Sequence, residues 1–127
     1  MLQNLGLLIL RVSISLMMLF AHGWPKLAGF TEKAGKFPSV LGMSSEISLT
    51  LAVFSEFFCS IALILGVLTR WVSFPLLITM LVAAFIIHAD DPFRKQEFAL
   101  LYAVPYLTLI LTGGGKFSID ALIFKKD

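Results

Sequence analysis

The sequence predicts an all-α protein, a polytopic transmembrane four-helix bundle in one domain (residues 1–127), with a longer connection between helices 1 and 2. Three observations predict it. Hydrophobic residues make up 58% of the chain and charged ones 14%, with a mean hydropathy of +0.93; soluble domains carry roughly 25% charged and 45–50% apolar residues. As a soluble domain, 127 residues would form one modest core with little polar surface left to clothe it. The apolar residues also fall into long continuous runs, without the period-two alternation of a membrane barrel.

The elements follow in order. A spanning helix needs about 20 apolar residues, with a range of roughly 17–25. The first run, residues 5–21, is adequate. Only Gln3 and Asn4 precede it as polar residues, Arg11 interrupts it, and no small-residue cleavage site follows. It is therefore expected to be retained rather than removed as a signal peptide. The connection Gly23–Glu46 mixes Phe30, Phe37, Val40, Leu41 and Met43 with Lys26, Lys33 and Lys36. That composition suits either a short interfacial helix or an ordinary exposed loop.

The second run, 49–68, is comfortably long, and the third, 71–89, is adequate. The fourth, 97–112, is short and contains Pro105, which membrane helices tolerate when neighbours satisfy the freed carbonyl. It reads as a spanning helix with Glu97 at its mouth. Gly113–Gly114–Gly115 lacks the lysine and strand context of a phosphate loop and reads as a helix stop.

An even number of spans places both termini on one side, with Arg70, Lys116, Lys125 and Lys126. Lys26, Lys33, Lys36, Arg94 and Lys95 fall on the other. The positive-inside rule is nearly balanced; Arg11 and Arg70 tip the expectation towards cytoplasmic termini. Trp24 and Trp71 suit aromatic belts at opposite ends.

Function rests on the few polar groups at membrane depth, where ionisable residues are costly and mark pairing or functional sites. Arg11, Ser15, Met18 and His22 share a face of the first helix at 100° per residue, whereas Pro25 leaves the phase of Lys26 uncertain. Ala52, Glu56, Cys59, Ser60 and Leu63 share a small, polar face of the second, which should look inward. Glu97, Leu101, Thr108 and Thr112 line up on the fourth. Arg11 and Glu56 are natural partners in antiparallel neighbours, as an ion pair that either only fixes packing or also serves a site.

Recognised chemical motifs are otherwise absent. A single cysteine excludes a self-contained dithiol oxidase, and Cys59 reads as a small packing residue. His22 and His88 fall at one membrane edge without the tight spacing of a metal site, so no metal is expected. A net charge of +2 without a basic cluster gives no support for nucleic-acid binding.

The residues picked out resemble the DoxX family of small four-helix membrane proteins. The matching pieces are Arg11, His22-Gly23-Trp24-Pro25-Lys26-Leu27, Glu56, Leu65-Gly66-Val67-Leu68-Thr69-Arg70, Glu97-Phe98-Ala99-Leu100-Leu101-Tyr102, and Gly113-Gly114-Gly115-Lys116-Phe117-Ser118-Ile119-Asp120. The resemblance implies a multi-pass protein of the cytoplasmic (inner) membrane, linked to quinone-dependent oxidoreduction and the response to oxidants.

Three functions stay open. In the first, the chain is a membrane component or accessory of a quinone-linked redox system. His22 and Lys26 are then the hydrogen-bond donors to a quinone, Glu56 the proton relay and Glu97 a second acceptor. No covalently bound cofactor is expected, so a redox-protein partner would supply electrons. The second is a non-catalytic subunit that recruits or stabilises such a complex. The third, proton or small-solute conduction, needs more interior than one small bundle offers. A polar seam on short helices also favours a homo-oligomer or a docked partner in the bilayer.

Overall fold

The computed structural model describes residues 1–124; Lys125 and Lys126, counted above on the termini side, lie outside the described residues. Helix α1 runs Leu2–Ala28, α2 is the single turn Phe30–Lys33, and α3 runs Ser45–Leu65. Helix α4 spans Thr69–Ile87, α5 Phe93–Thr112, and α6 is the short Ile119–Phe124.

Among the described residues three helices, α1, α3 and α4, are long and apolar enough to cross a membrane. The expected count of four transmembrane helices is corrected to three. Helix α5 is 20 residues long, but its true start at Phe93 adds charge rather than apolar length. Its opening turns carry Arg94, Lys95 and Glu97, and each charge costs about 2.5–3.5 kcal/mol at membrane depth. It packs back along α4 instead, burying Ala99, Ala103, Tyr106 and Leu109. Those small residues let the two backbones approach closely. They join Ile14, Met18, Cys59, Leu63, Leu76 and Met80 in one core.

Each of the three long helices contains a π-turn: Leu19–Gly23 in α1, Phe54–Cys59 in α3 and Ala83–Ile87 in α4. Such turns interrupt regular helices mostly at functional sites. The first closes the Trp24 N–H on the Leu19 carbonyl. Pro25 then sits in the opening turn of the α-helical segment that follows, where its missing N–H is tolerated. The helix therefore runs through the proline, which settles the phase that Pro25 left open, and carries Lys26 on its last turn.

The connection after α2 is neither an interfacial helix nor a plain exposed loop. Residues 34–44 fold back over the end of the bundle as a strap. The buried Val40 donates its N–H to Ser48 Oγ at 3.2 Å. Ser44 ends the strap by capping α3, its hydroxyl accepting from Ile47 N–H at 3.2 Å, which satisfies one of the helix's four unpaired donors.

Candidate functional site

The bundle gathers its polar groups at two ends. At the end where α1 begins, Arg11 is 1% exposed and donates to the Leu63 and Ile64 carbonyls at 2.7 and 2.8 Å and to the Phe117 carbonyl. These carbonyls are C-terminal acceptors of α3 and of the segment before α6, where a cation also suits the helix dipole. Gly66 ends α3 at φ +76°, and a Cβ there would lie 2.9 Å from Arg11 Nη1 and against Ser118. Only glycine fits. Asp120 reaches back so that its two carboxylate oxygens accept from Leu68 and Thr69 N–H at 2.6 and 2.8 Å, capping α4 from a distant part of the chain. The whole arrangement ties three segments together and leaves its groups facing one another.

The expected Arg11–Glu56 ion pair is therefore not formed. Glu56, 3% exposed, pairs instead with Lys26, Nζ to Oε1 at 2.7 Å. The contact depends on Gly23, one helical turn before Lys26 on α1, which brings α1 against α3 so closely that a Cβ would lie 2.5 Å from the Glu56 carbonyl oxygen. The π-turn of α3 holds Glu56 beside Ser55, whose hydroxyl donates to Thr79 Oγ1 of α4 at 2.9 Å while Thr79 donates to the Pro75 carbonyl at 2.7 Å.

Lys26 and Glu56 lie on the wall of a cavity of about 400 Å³ at the strap end, together with His22 and Tyr102. The His22 and Tyr102 rings meet edge to face with centroids 5.5 Å apart, and Tyr102 stacks on Tyr106 at 6.4 Å. Most of the remaining wall is apolar, with Val40 and Met43 from the strap and Ala52, Ile78 and Met80 from the helices. An apolar cleft with a few convergent polar groups is the usual form of a small-molecule site. Glu56 uses one carboxylate oxygen on Lys26, and no partner for the other is found among the described residues.

Of the four expected ligand residues, the structure brings together His22, Lys26 and Glu56 on this wall. Glu97 is exposed and absent from it. The stripe expected on α5 is misphased: Glu97, Leu101 and Thr112 face outward, whereas Ala99, Ala103 and Tyr106 face the core. Sequence reasoning missed Tyr102, whose signal was its spacing of three and four from the inward Ala99 and Tyr106.

His88 lies at the rim of the cavity, its Nδ1 2.7 Å from Asp91 Oδ2. That hydrogen bond holds the Asp91 carboxyl below its ordinary range. Cys59 is a free, buried thiol in the core. Among the described residues no group of three or more His, Cys, Asp or Glu side chains is placed to hold a metal ion.

Three long apolar helices around one core, with a mostly apolar cavity at one end, define a multi-pass membrane protein embedded in the bilayer. The chain belongs to the DoxX family, whose model matches residues 6–89. That stretch contains Arg11, the Gly23–Lys26 segment, Glu56 and Gly66; the Gly113–Asp120 segment lies beyond it.

An uncharacterised protein of Haemophilus influenzae is 36% identical over 131 residues, covering 97% of this chain and 86% of the relative. The inner membrane protein YqjF of Escherichia coli K12 is 28% identical over 131 residues, covering 98% and 97%. A second uncharacterised H. influenzae protein is 32% identical over 124 residues, covering 92% and 90%. No solved structure matches the chain.

Proposed function

We propose that this DoxX-family protein is an inner-membrane component of a quinone-linked redox system and that the cavity at its strap end takes a quinone headgroup. The observation that carries the reading is the Lys26–Glu56 pair, its carboxylate buried and its ammonium partly exposed, on an otherwise apolar wall beside His22 and Tyr102. The remaining N–H donors of Lys26, the Tyr102 hydroxyl and a His22 N–H suit the carbonyls of a ring. The open oxygen of Glu56 suits a proton acceptor. A cavity of about 400 Å³ falls within the roughly 300–1,000 Å³ of small-molecule sites. Exposed residues such as Ile78 and Phe98 on its wall give a lipid-soluble ligand a way in from the side.

Electrons come from a partner protein, and the Arg11 end is the cytoplasmic one. The inner-membrane location in the name of the E. coli relative supports the compartment.

The test is purification in native lipid, mass spectrometry of what stays bound, and titration of a fluorescent quinone against the wild type, His22→Ala and Glu56→Gln. Saturable binding that weakens in both folded variants is expected. Equal affinity in all three, or no saturable binding, refutes the site and favours a non-catalytic subunit that recruits or stabilises a redox complex.

A further inference from the structure

Few polar side chains border the cavity, and several of them are already engaged. Ser48 Oγ accepts from Val40 N–H, Thr79 Oγ1 donates to the Pro75 carbonyl, and His88 at the rim is held by Asp91. Deeper on the wall stand His22, Tyr102 and the Lys26–Glu56 pair. The imidazole and the phenol can each donate or accept, so neither separates one ligand from another. The ion pair does.

Glu56 is almost wholly buried, and its Oε1 accepts from Lys26 Nζ at 2.7 Å. Its other oxygen has no donor among the described residues. Lys26 already balances the charge, so a cationic ligand gains little there. What the second oxygen needs is a neutral donor. Two groups of opposite requirement thus stand side by side on the wall. One is an ammonium with protons to give, the other a carboxylate oxygen with lone pairs to fill. A hydroxyl meets both, because it donates and accepts at one atom, whereas a ring carbonyl only accepts. A quinone seated here would shut solvent away from Glu56 and leave its free oxygen without a donor. Sites built to bond a hydroxyl reject the analogue that lacks one for this reason.

We propose that the cavity selects the reduced, hydroxyl-bearing form of the headgroup, a hydroquinone, over the quinone, and that Glu56 is the residue that sets the choice. The selection rests on the headgroup site proposed above and names which member of the couple that site holds. The ring hydroxyl donates to the free oxygen of Glu56 and accepts from Lys26, while Ala52, Met80 and Ala99 supply the apolar wall for the ring. Preference for the reduced form also raises the two-electron potential of the bound couple, by about 30 mV for each tenfold in affinity.

The full chain in lipid nanodiscs is titrated under argon with tetramethyl-1,4-benzoquinone, with its hydroquinone and with the dimethyl ether of that hydroquinone. The hydroquinone should bind at least about tenfold more tightly than the quinone. The ether keeps the ring but cannot donate, and should bind no better than the quinone. In Glu56→Gln, folded by circular dichroism, the ratio of the two affinities should fall to about one. Equal affinity of the wild type for quinone and hydroquinone, or an ether that binds as tightly as the hydroquinone, overturns the selection and leaves the headgroup site standing. A preference that survives in Glu56→Gln overturns the assignment to that residue. Absence of saturable binding by either form removes the site and the selection together.

Discussion

Removing the charge of Glu56 isolates the ion pair between α1 and α3 in the membrane-embedded part of the bundle. Glu56 is almost wholly buried and its partner Lys26 has a side chain 21% exposed. Glu56→Gln leaves that ammonium without its carboxylate. Breaking a fully buried pair costs about 3–5 kcal/mol; partial exposure of Lys26 lowers the expectation to about 2–3 kcal/mol. Lys26→Met strands the deeper charge and should cost more, at the upper end of about 3–5 kcal/mol. The double variant removes both charges and should lose less than the sum, with a coupling energy of about 1–3 kcal/mol. Arg11, bonded to three carbonyls at the other end, shares no partner with Glu56. Arg11→Met and Glu56→Gln should therefore add to within about 0.5 kcal/mol. Both cycles are read from unfolding in mixed micelles of rising denaturing-detergent fraction. Additivity at Lys26 and Glu56, or coupling at Arg11 and Glu56, would refute the assignment of partners.

Asp120→Ala removes the acceptor for two N–H groups at the start of α4 and should cost about 1–2 kcal/mol, measured by the same unfolding assay. Gly23→Ala drives a methyl into the α3 backbone and should cost about 1–3 kcal/mol. Gly6→Ala, with open space around its Cα, should gain about 0.5–1 kcal/mol; equal effects at the two positions would contradict the close crossing at Gly23. Asp91 has a lowered carboxyl pKa in the folded protein because of its hydrogen bond to His88. Its contribution to stability is present above the unfolded value of about 3.9 and lost as pH falls through the lower folded one. NMR titration of Asp91 should move back up in His88→Ala, and an unchanged curve would remove that bond as the cause.

The faces of α1 and α3 were legible because their polar residues repeat at helical spacing: Arg11, Ser15 and Met18 are buried, as are Ala52, Glu56, Cys59, Ser60 and Leu63. The partner of Glu56 was not, because Pro25 hid the phase of Lys26 and no periodic pattern encodes a π-turn. A membrane also makes polarity an ambiguous guide to the inside. On α5, Glu97 and Thr112 suggested an inward stripe, but the close contact with α4 selects Ala99 and Ala103. The fourth span failed for a related reason: an apolar tail was counted without the charged turns that form one helix with it. The role of Gly113–Asp120 in binding Arg11 and capping α4 joins residues about 50 to 106 positions apart, beyond any local pattern.

The π-turns have a consequence for how the molecule tolerates change in length. Each one accommodates about one more residue than an α-turn, and one residue is roughly 100° of rotation. In α1 the turn at Leu19–Gly23 separates Arg11 from Lys26. Deleting a single residue there would remove the π-turn and leave a regular helix whose flanks keep their phase, Lys26 towards Glu56 and Arg11 towards its three carbonyls. The π-turn is thus the slack in α1: the helix can lose one residue at this point without unfastening either end of the bundle.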